Sequence, residues 1–173
     1  MNLKFFVLVL VWIASFNNAN ANEESLAKVI AVLDGDTVLL MRTDVVSKPP
    51  IFYKLRLADI DAPEKDQDYG EQAKQALAQL VLHQQVHVTT VATDSYGREI
   101  GWITLEPGAG PALAVNTELV KSGWAWARSR SRSPQLHDAQ QEAQQEGRGL
   151  WAMPNAIPPW IWRKQKQLHE SNE

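Results

Sequence analysis

Four acidic side chains lie at predicted turns beside apolar segments. Asp34 and Asp36 fall between two aliphatic runs, and Asp61 and Glu64 follow a third run. Carboxylate oxygens placed this way suit calcium, which binds roughly six to eight oxygen ligands in a flexible geometry. Asp34 and Asp36 could instead only shape a hairpin turn, and Pro63 could only stiffen a loop. On the acidic residues alone, both interpretations stay open.

Two arginines add a second kind of chemistry. Arg56 lies on the segment that leads into Asp61, and Arg98 follows a predicted turn. A guanidinium group can pair with two phosphate oxygens at once, so both side chains could hold one anionic group if their strands are neighbours. Arg98 taken singly is also typical of a surface turn. Arg56 lies between two leucines and must bring its charge to a partner or to solvent.

The first half of the chain is patterned as short strands. The Asp34-Gly35 pair between two aliphatic runs predicts a tight hairpin, and alternation after Pro50 predicts a third strand. Apolar residues at helical spacing then predict a helix that precedes two more strands. We therefore expect a mainly β, α+β fold, a small closed barrel of five strands. The predicted segments are Val29–Leu33, Val38–Met41, Tyr53–Ala58, Tyr69–Val81, Val86–Val91 and Ile100–Leu105.

The second half is predicted to be helical. Asn116 is a suitable N-cap for a short helix that Gly123 can end. Ser133 and Pro134 are typical of the start of another helix, as N-cap and first residue. The segment from Trp151 to Trp162 holds three tryptophans and is too apolar to be a free tail, so we expect it to pack across the domain. Trp124 and Trp126 could either pack in the core or stack on bases.

The N-terminus predicts export. Lys4 precedes an apolar run from Phe5 to Phe16, and small residues ending at Ala21 form a cleavage site. The run is shorter than the roughly 20 residues that span a bilayer, so we interpret residues 1–21 as a signal peptide that is removed. The mature protein would then be periplasmic or secreted, with no membrane attachment. Residues 22–173 are predicted to form one domain.

Composition limits how this chain could bind a polyanion. The net charge is −3 and becomes −4 when Lys4 leaves with the signal peptide, so binding through bulk positive charge is disfavoured. Arginines and lysines nevertheless cluster at residues 128–132 and 163–166, so a local positive face is possible. There are no cysteines, which excludes disulfides and a cysteine zinc site.

A series of motifs falls in a fixed order along the chain. In that order they resemble the staphylococcal nuclease (thermonuclease) family, and the ending is similar to its bacterial branch. The resemblance extends from Val29 to Arg163, which is essentially the whole mature domain. The motifs are Asp34-Gly35-Asp36-Thr37, Arg56 to Glu64, Tyr69 to Ala73, Asp94 to Arg98, Val115-Asn116 with Leu119-Val120, Gly149 to Ala152 and Pro158 to Trp162.

The resemblance implies an OB-type five-stranded barrel with about three helices, and calcium-dependent endonuclease cleavage of DNA or RNA that leaves 3′-phosphate products. It implies that Arg56, Glu64 and Arg98 are catalytic, with Glu64 as general base and the arginines as phosphate clamp. Calcium would be held by the carboxylates of Asp36 and Asp61 and the backbone carbonyl of Ala62. Tyr96 is similar to a family position near a substrate phosphate, and could equally be barrel packing. We expect a monomer.

Some residues depart from the family pattern. Ala62 replaces a threonine, which keeps the backbone ligand but removes a hydroxyl, and Ser95 stands where a lysine can help to hold phosphate. Tyrosines that line the family's nucleotide pocket are replaced around residues 124–128. Two alternatives belong to other classes: a non-catalytic OB-type module that binds nucleic acid or protein, and a calcium-dependent structural domain. Neither gives the combination of Arg56, Glu64 and Arg98 a purpose.

Overall fold

The structure, a computed structural model, describes residues 23–42, 49–106, 108 and 110–171. The predicted signal peptide and its cleavage after Ala21 lie outside the described residues, and the domain boundaries at residues 22 and 173 stay a prediction. No helix among the described residues has the length and apolarity needed to cross a membrane.

Eight strands and four α-helices are present in the described part of the chain. The strands are β1 (Glu23–Asp34), β2 (Thr37–Arg42), β3 (Ile51–Leu57), β4 (Ile60–Asp61), β5 (Gln85–Thr93), β6 (Glu99–Leu105), β7 (Leu113–Ala114) and β8 (Trp126–Ala127). The helices are α1 (Gly70–Val81), α2 (Val115–Lys121), α3 (Pro134–Gln145) and α4 (Pro159–Glu170), with a 3₁₀ turn at Gly149–Ala152.

Five of the strands close into a barrel. β1 pairs with β2 and β5, β2 pairs with β3, and β5 pairs with β6, all antiparallel. β3 also pairs with β6 in parallel, which joins the two edges. This mixed five-stranded barrel confirms the predicted α+β, OB-type fold. β4 and β8 form a separate short ladder beside it.

The barrel closes around side chains that alternate along its strands. Val38 and Leu40 of β2 and Leu55 and Leu57 of β3 are buried and belong to one apolar cluster. That cluster also includes Leu77 and other residues of α1, so this helix covers one end of the barrel. The strand alternation and the helical spacing in the sequence therefore predicted the two faces that meet in the core.

The β1–β2 hairpin turns at Gly35, where the chain passes very close to its neighbours. A β-carbon at Gly35 would lie 2.7 Å from Cβ of Ala62 and 2.9 Å from Cβ of Ala73. Such distances are too short for ordinary contact, so only glycine allows this approach. The approach brings Asp36 against the segment that follows β4.

The predicted helix starts were partly right. Ser133 is the N-cap of α3 and Pro134 its first residue, as expected. Asn116 is not an N-cap, because α2 begins at Val115 with Ala114 as its N-cap. The Asn116 side chain is instead fully buried, accepts a hydrogen bond from the Ile103 amide and donates to backbone carbonyls. It therefore ties α2 to the barrel.

The C-terminal segment packs across the domain, as predicted, but its helix was not predicted. Trp126 meets the ring of Trp151 edge-on at 5.3 Å and that of Trp160 at 6.5 Å. Gln67 donates to the backbone carbonyl of Ile157. These contacts place α4 against the turn that follows β4, and the described residues form four α-helices where about three were expected.

Candidate active site

Asp36 is held at the hairpin turn by three donors. Its Oδ2 accepts a hydrogen bond from the Ala62 amide at 3.1 Å, and its Oδ1 accepts from the Thr37 hydroxyl and from Nη1 of Arg56 at 2.7 Å. Burial raises the pKa of Asp36 to about 7; Arg56 opposes this, while the carboxylates of Asp34 and Asp61 add to it. The site therefore concentrates negative charge that a cation would stabilise.

Arg56 joins the two most buried carboxylates of the site. Its Nη2 donates to Oδ1 of Asp61 at 2.8 Å while its Nη1 is bound to Asp36. Burial lowers the pKa of the Arg56 guanidinium, but Asp36 and Asp61 outweigh burial and raise it. Arg56 is therefore fixed in its charged form at the floor of the site.

Arg163, on α4, is a site residue that sequence reasoning missed. Its Nη2 donates to Oδ2 of Asp61 at 2.7 Å, and its Nη1 donates to Oε1 of Glu64. The hydrogen bond that Arg163 donates to Asp61, with a further contribution from the one to Glu64, raises the pKa of Arg163. The only sequence signal was its place in a cluster of basic residues after Trp162, which did not indicate a contact 102 residues away.

Arg98 and Tyr96 lie on the turn between β5 and β6. Oδ1 of Asp94 accepts hydrogen bonds from the backbone amides of Tyr96 and Arg98, and Oδ2 accepts a hydrogen bond from Nε of Arg98 at 2.8 Å. The Arg98 guanidinium lies 5.7 Å from the centre of the Tyr96 ring, and Tyr96 itself is 86% exposed. Asp94 thus fixes both the turn and the direction of Arg98. Of the two roles considered for Tyr96, barrel packing does not fit so exposed a ring, and contact with substrate stays a prediction.

These side chains line one cleft of about 400 Å³. Of the residues predicted from sequence, all but Asp61 line it directly, and Asp61 contacts Arg56 and Arg163 from an adjoining cleft. Trp126 is buried beneath the C-terminal segment and Trp124 packs near Tyr69, which fits their core interpretation. The lining residues are Asp34, Asp36, Arg56, Ala62, Pro63, Glu64, Tyr96, Arg98, Arg128 and Arg163.

A hard divalent cation fits the donors of this cleft. Asp36 and Asp61 are 4% and 2% exposed, and their Oδ1 atoms both bind the same guanidinium group, so they converge. Carboxylate oxygens with a backbone carbonyl are a donor set that calcium uses. In the described residues no cluster of three or more histidine, cysteine or acidic side chains has metal-binding geometry, so such an ion would need the carbonyl of Ala62 and water.

The fold and the cleft define a class of protein: a small OB-type barrel with arginines and carboxylates gathered at one edge. The chain belongs to the family of staphylococcal nuclease homologues, whose family model matches residues 54–153.

Curated relatives agree with the family. The chain is 39% identical to a protein named micrococcal nuclease from Shigella flexneri, covering 79% of this chain and 79% of that protein. It is 39% identical to an uncharacterized endonuclease from Escherichia coli O157:H7, covering 80% and 85%. A third relative, an uncharacterized endonuclease from Haemophilus influenzae, is 34% identical over 98% of this chain and 90% of its own length.

Proposed function

We propose that this protein is a calcium-dependent endonuclease that hydrolyses phosphodiester bonds of DNA, RNA or both and leaves 3′-phosphate products. Membership of the nuclease family and the names of the relatives support nuclease activity. The observation that carries the finer proposal is the meeting of Arg56, Glu64 and Arg98 in one cleft beside Asp36. We also propose that the protein is exported and acts as a monomer.

The arginines would stabilise the charge that grows during hydrolysis. A phosphodiester is already an anion, and attack by water places further negative charge on its phosphoryl oxygens. Arg56 approaches the cleft from β3 and Arg98 from the turn between β5 and β6, and both are held in direction by carboxylates. Groups fixed in this way need little reorganisation, and losing one such donor typically lowers the rate about 10²- to 10³-fold.

Glu64 would accept the proton of the attacking water. Its Oε1 is bound to Arg163, so the base must exchange this partner before it acts. A phosphate that enters the cleft offers Arg163 another anion, and this exchange would free Glu64 to bind the attacking water. A positioned general base usually contributes about 10²- to 10⁴-fold in rate.

Calcium, when bound by Asp36, Asp61 and the Ala62 carbonyl, would supply a Lewis acid for a phosphoryl oxygen. Burial of Asp36 among other carboxylates supports this assignment, because a cation would offset their mutual repulsion.

The test is hydrolysis by the mature chain, residues 22–173. We expect it to degrade denatured DNA or RNA when calcium is added and to stop when the calcium is chelated. Glu64→Gln should reduce kcat at least about 10²-fold and leave the protein folded, because the amide cannot accept the proton. Glu71→Gln, on the exposed side of α1, is the matched control. A folded, calcium-supplied wild type that leaves both polymers intact would overturn the proposal.

One observation favours a second candidate, a non-catalytic module that binds nucleic acid. The contact between Arg163 and Glu64 engages the proposed base in an ion pair. If that pair persisted with substrate present, the cleft would bind phosphate without cutting it. Binding of labelled oligonucleotide with no products at any calcium concentration would identify this alternative.

A further inference from the structure

A second cleft, of about 270 Å³, adjoins the candidate active site. Arg128 and Arg163 line both clefts, so the two share a wall and form one continuous path. The other residues of the second cleft are Asp61, Ser129, Arg130 and Trp160. A strand whose reacting phosphate lies in the first cleft would meet these side chains next.

Two arginine side chains of the second cleft have no partner among the residues that the structure describes. Arg128 and Arg130 are exposed, and within the described residues no carboxylate or carbonyl accepts a bond from either guanidinium group. The arginines at positions 56, 98, 148 and 163 are all paired with carboxylates. Unpaired arginines at the mouth of an anion site are suited to further phosphates.

The same cleft contains an aromatic ring that is held but accessible. Trp160 is 41% exposed and directly follows the proline that begins α4. Its ring meets the buried ring of Trp126 edge-on, at 6.5 Å and an interplanar angle of 78°. This contact fixes the indole while leaving much of it to solvent. A fixed, exposed indole beside arginines is a surface on which a base can stack.

We propose that Arg128, Arg130 and Trp160 form a flanking-nucleotide subsite for single-stranded nucleic acid. The arginines bind the phosphate next to the one that is cut, and Trp160 stacks on the adjoining base. Only an unpaired strand fits, because a base inside a duplex has no free face to offer. The placement of the cut phosphate rests on the proposed nuclease function, whereas binding to the subsite does not require hydrolysis.

The first test is salt-dependent binding under chelating conditions, where no cleavage occurs. Fluorescein-labelled oligo-dT and oligo-U are titrated with wild type, Arg130→Ala and Arg132→Ala, and fluorescence anisotropy is measured at several salt concentrations. Losing one single-strand phosphate contact reduces the slope of log affinity against log salt by about 0.7. We expect that change for Arg130→Ala with both polymers. Arg132 is exposed in the same loop but lines neither cleft, so Arg132→Ala should match wild type.

The second test concerns the aromatic ring. Trp160→Ala should weaken oligonucleotide binding about 5- to 150-fold, the usual range for loss of one stacked base, and Trp160→Tyr should retain most of the affinity. Thermal unfolding of each variant shows whether loss of the contact with Trp126 has disturbed the fold. With a blunt-ended duplex, we expect Trp160→Ala and wild type to bind equally.

A third measurement separates this subsite from the active site. A dinucleotide with one phosphodiester lacks the flanking phosphate, so Arg130→Ala should lower kcat/KM for long strands much more than for the dinucleotide. If Arg130→Ala and Arg132→Ala bind long strands identically, the subsite is overturned while the nuclease proposal stands. If wild type binds strands with the expected dependence on Arg130 but never cleaves them, the subsite stands and the nuclease proposal fails. A wild type that neither binds nor cleaves overturns both.

Discussion

Arg163 binds two of the three carboxylates that the proposed reaction needs, and this makes it the most informative single residue of the site. It contacts both oxygens of Asp61 and one oxygen of Glu64. A cation held by Asp61 would share that carboxylate with a guanidinium of the same charge. Calcium and Arg163 are therefore expected to compete for Asp61. Arg163 would keep the carboxylates of Asp61 and Glu64 paired until metal and substrate bind.

Replacement of Arg163 by alanine should therefore tighten calcium binding. The Arg163 side chain is 42% exposed, so its pairing energy is screened and we expect an effect of about 2- to 5-fold in Kd. Isothermal titration of the metal measures this directly. Lys164→Ala is the matched control, since Lys164 is exposed and no ion pair involves it among the described residues. A weaker calcium affinity in Arg163→Ala would mean that Arg163 supports the metal ligands.

The limits of sequence reasoning at this scale follow from distance along the chain. Arg56, Asp61 and Glu64 share one short segment, so their residue types and order carried the signal. Arg163 reaches Glu64 across 99 residues, and its neighbours Lys164 and Lys166 gave it the appearance of a solvated basic surface. Only the packing of α4 against the site distinguishes Arg163 from these two lysines.

Among the secondary-structure elements, the β5–β6 turn is the one that positions Arg98. Partial desolvation opposes ionisation of Asp94, but hydrogen bonds from Arg98 and Tyr96 lower its pKa, so it stays charged at neutral pH. Its two oxygens have separate tasks: Oδ1 holds the turn amides and Oδ2 holds the Arg98 side chain. Asp94 is therefore expected to be a positioning residue.

Two substitutions of Asp94 should separate these tasks. Asp94→Ala loses both, and a misplaced Arg98 should lower kcat about 10- to 100-fold. Asp94→Asn keeps one oxygen for the turn amides but has an amide nitrogen that cannot accept from Arg98, so we expect a similar loss of kcat with an almost unchanged unfolding midpoint. Steady-state kinetics with urea unfolding of both variants checks this. Full activity in Asp94→Asn would exclude positioning through the Arg98 contact.

The elements also divide into those that the sequence predicted and those that it did not. Alternation and helical spacing predicted the barrel strands and α1, because both depend on burying one face. Asn116 was wrongly predicted as an N-cap, since its type and position suit a helix start. Its real task, binding the backbone at Ala58, Gly101 and Ile103, depends on strands that are distant in sequence.

For the whole molecule, the structure places acidic residues at the barrel edge and basic residues around them, within a chain of net charge −3. Close to the barrel, Asp36 and Asp61 are buried near each other; Arg56 pairs with both, and a bound metal ion would offset the rest of their repulsion. Outside them, Arg128 and Arg130 face solvent. This arrangement, with buried carboxylates inside and exposed arginines outside, explains how an acidic protein could bind a polyanion. The positive charge is local, and a metal ion would add to it.

The stability of the whole fold should therefore depend on calcium. A ligand that binds only the folded state at ten times its Kd raises the free energy of unfolding by about 1.4 kcal/mol, so calcium should raise the urea midpoint of the wild type. Asp61→Asn removes a ligand charge and should abolish the shift. Asp68→Asn is the matched control, because Asp68 is exposed and lines neither the active-site cleft nor its neighbour, and it should respond like wild type. An equal calcium shift in Asp61→Asn and wild type would place the ion elsewhere. A shift that Asp61→Asn removes, in a protein that never cleaves nucleic acid, would instead support the calcium-dependent structural domain.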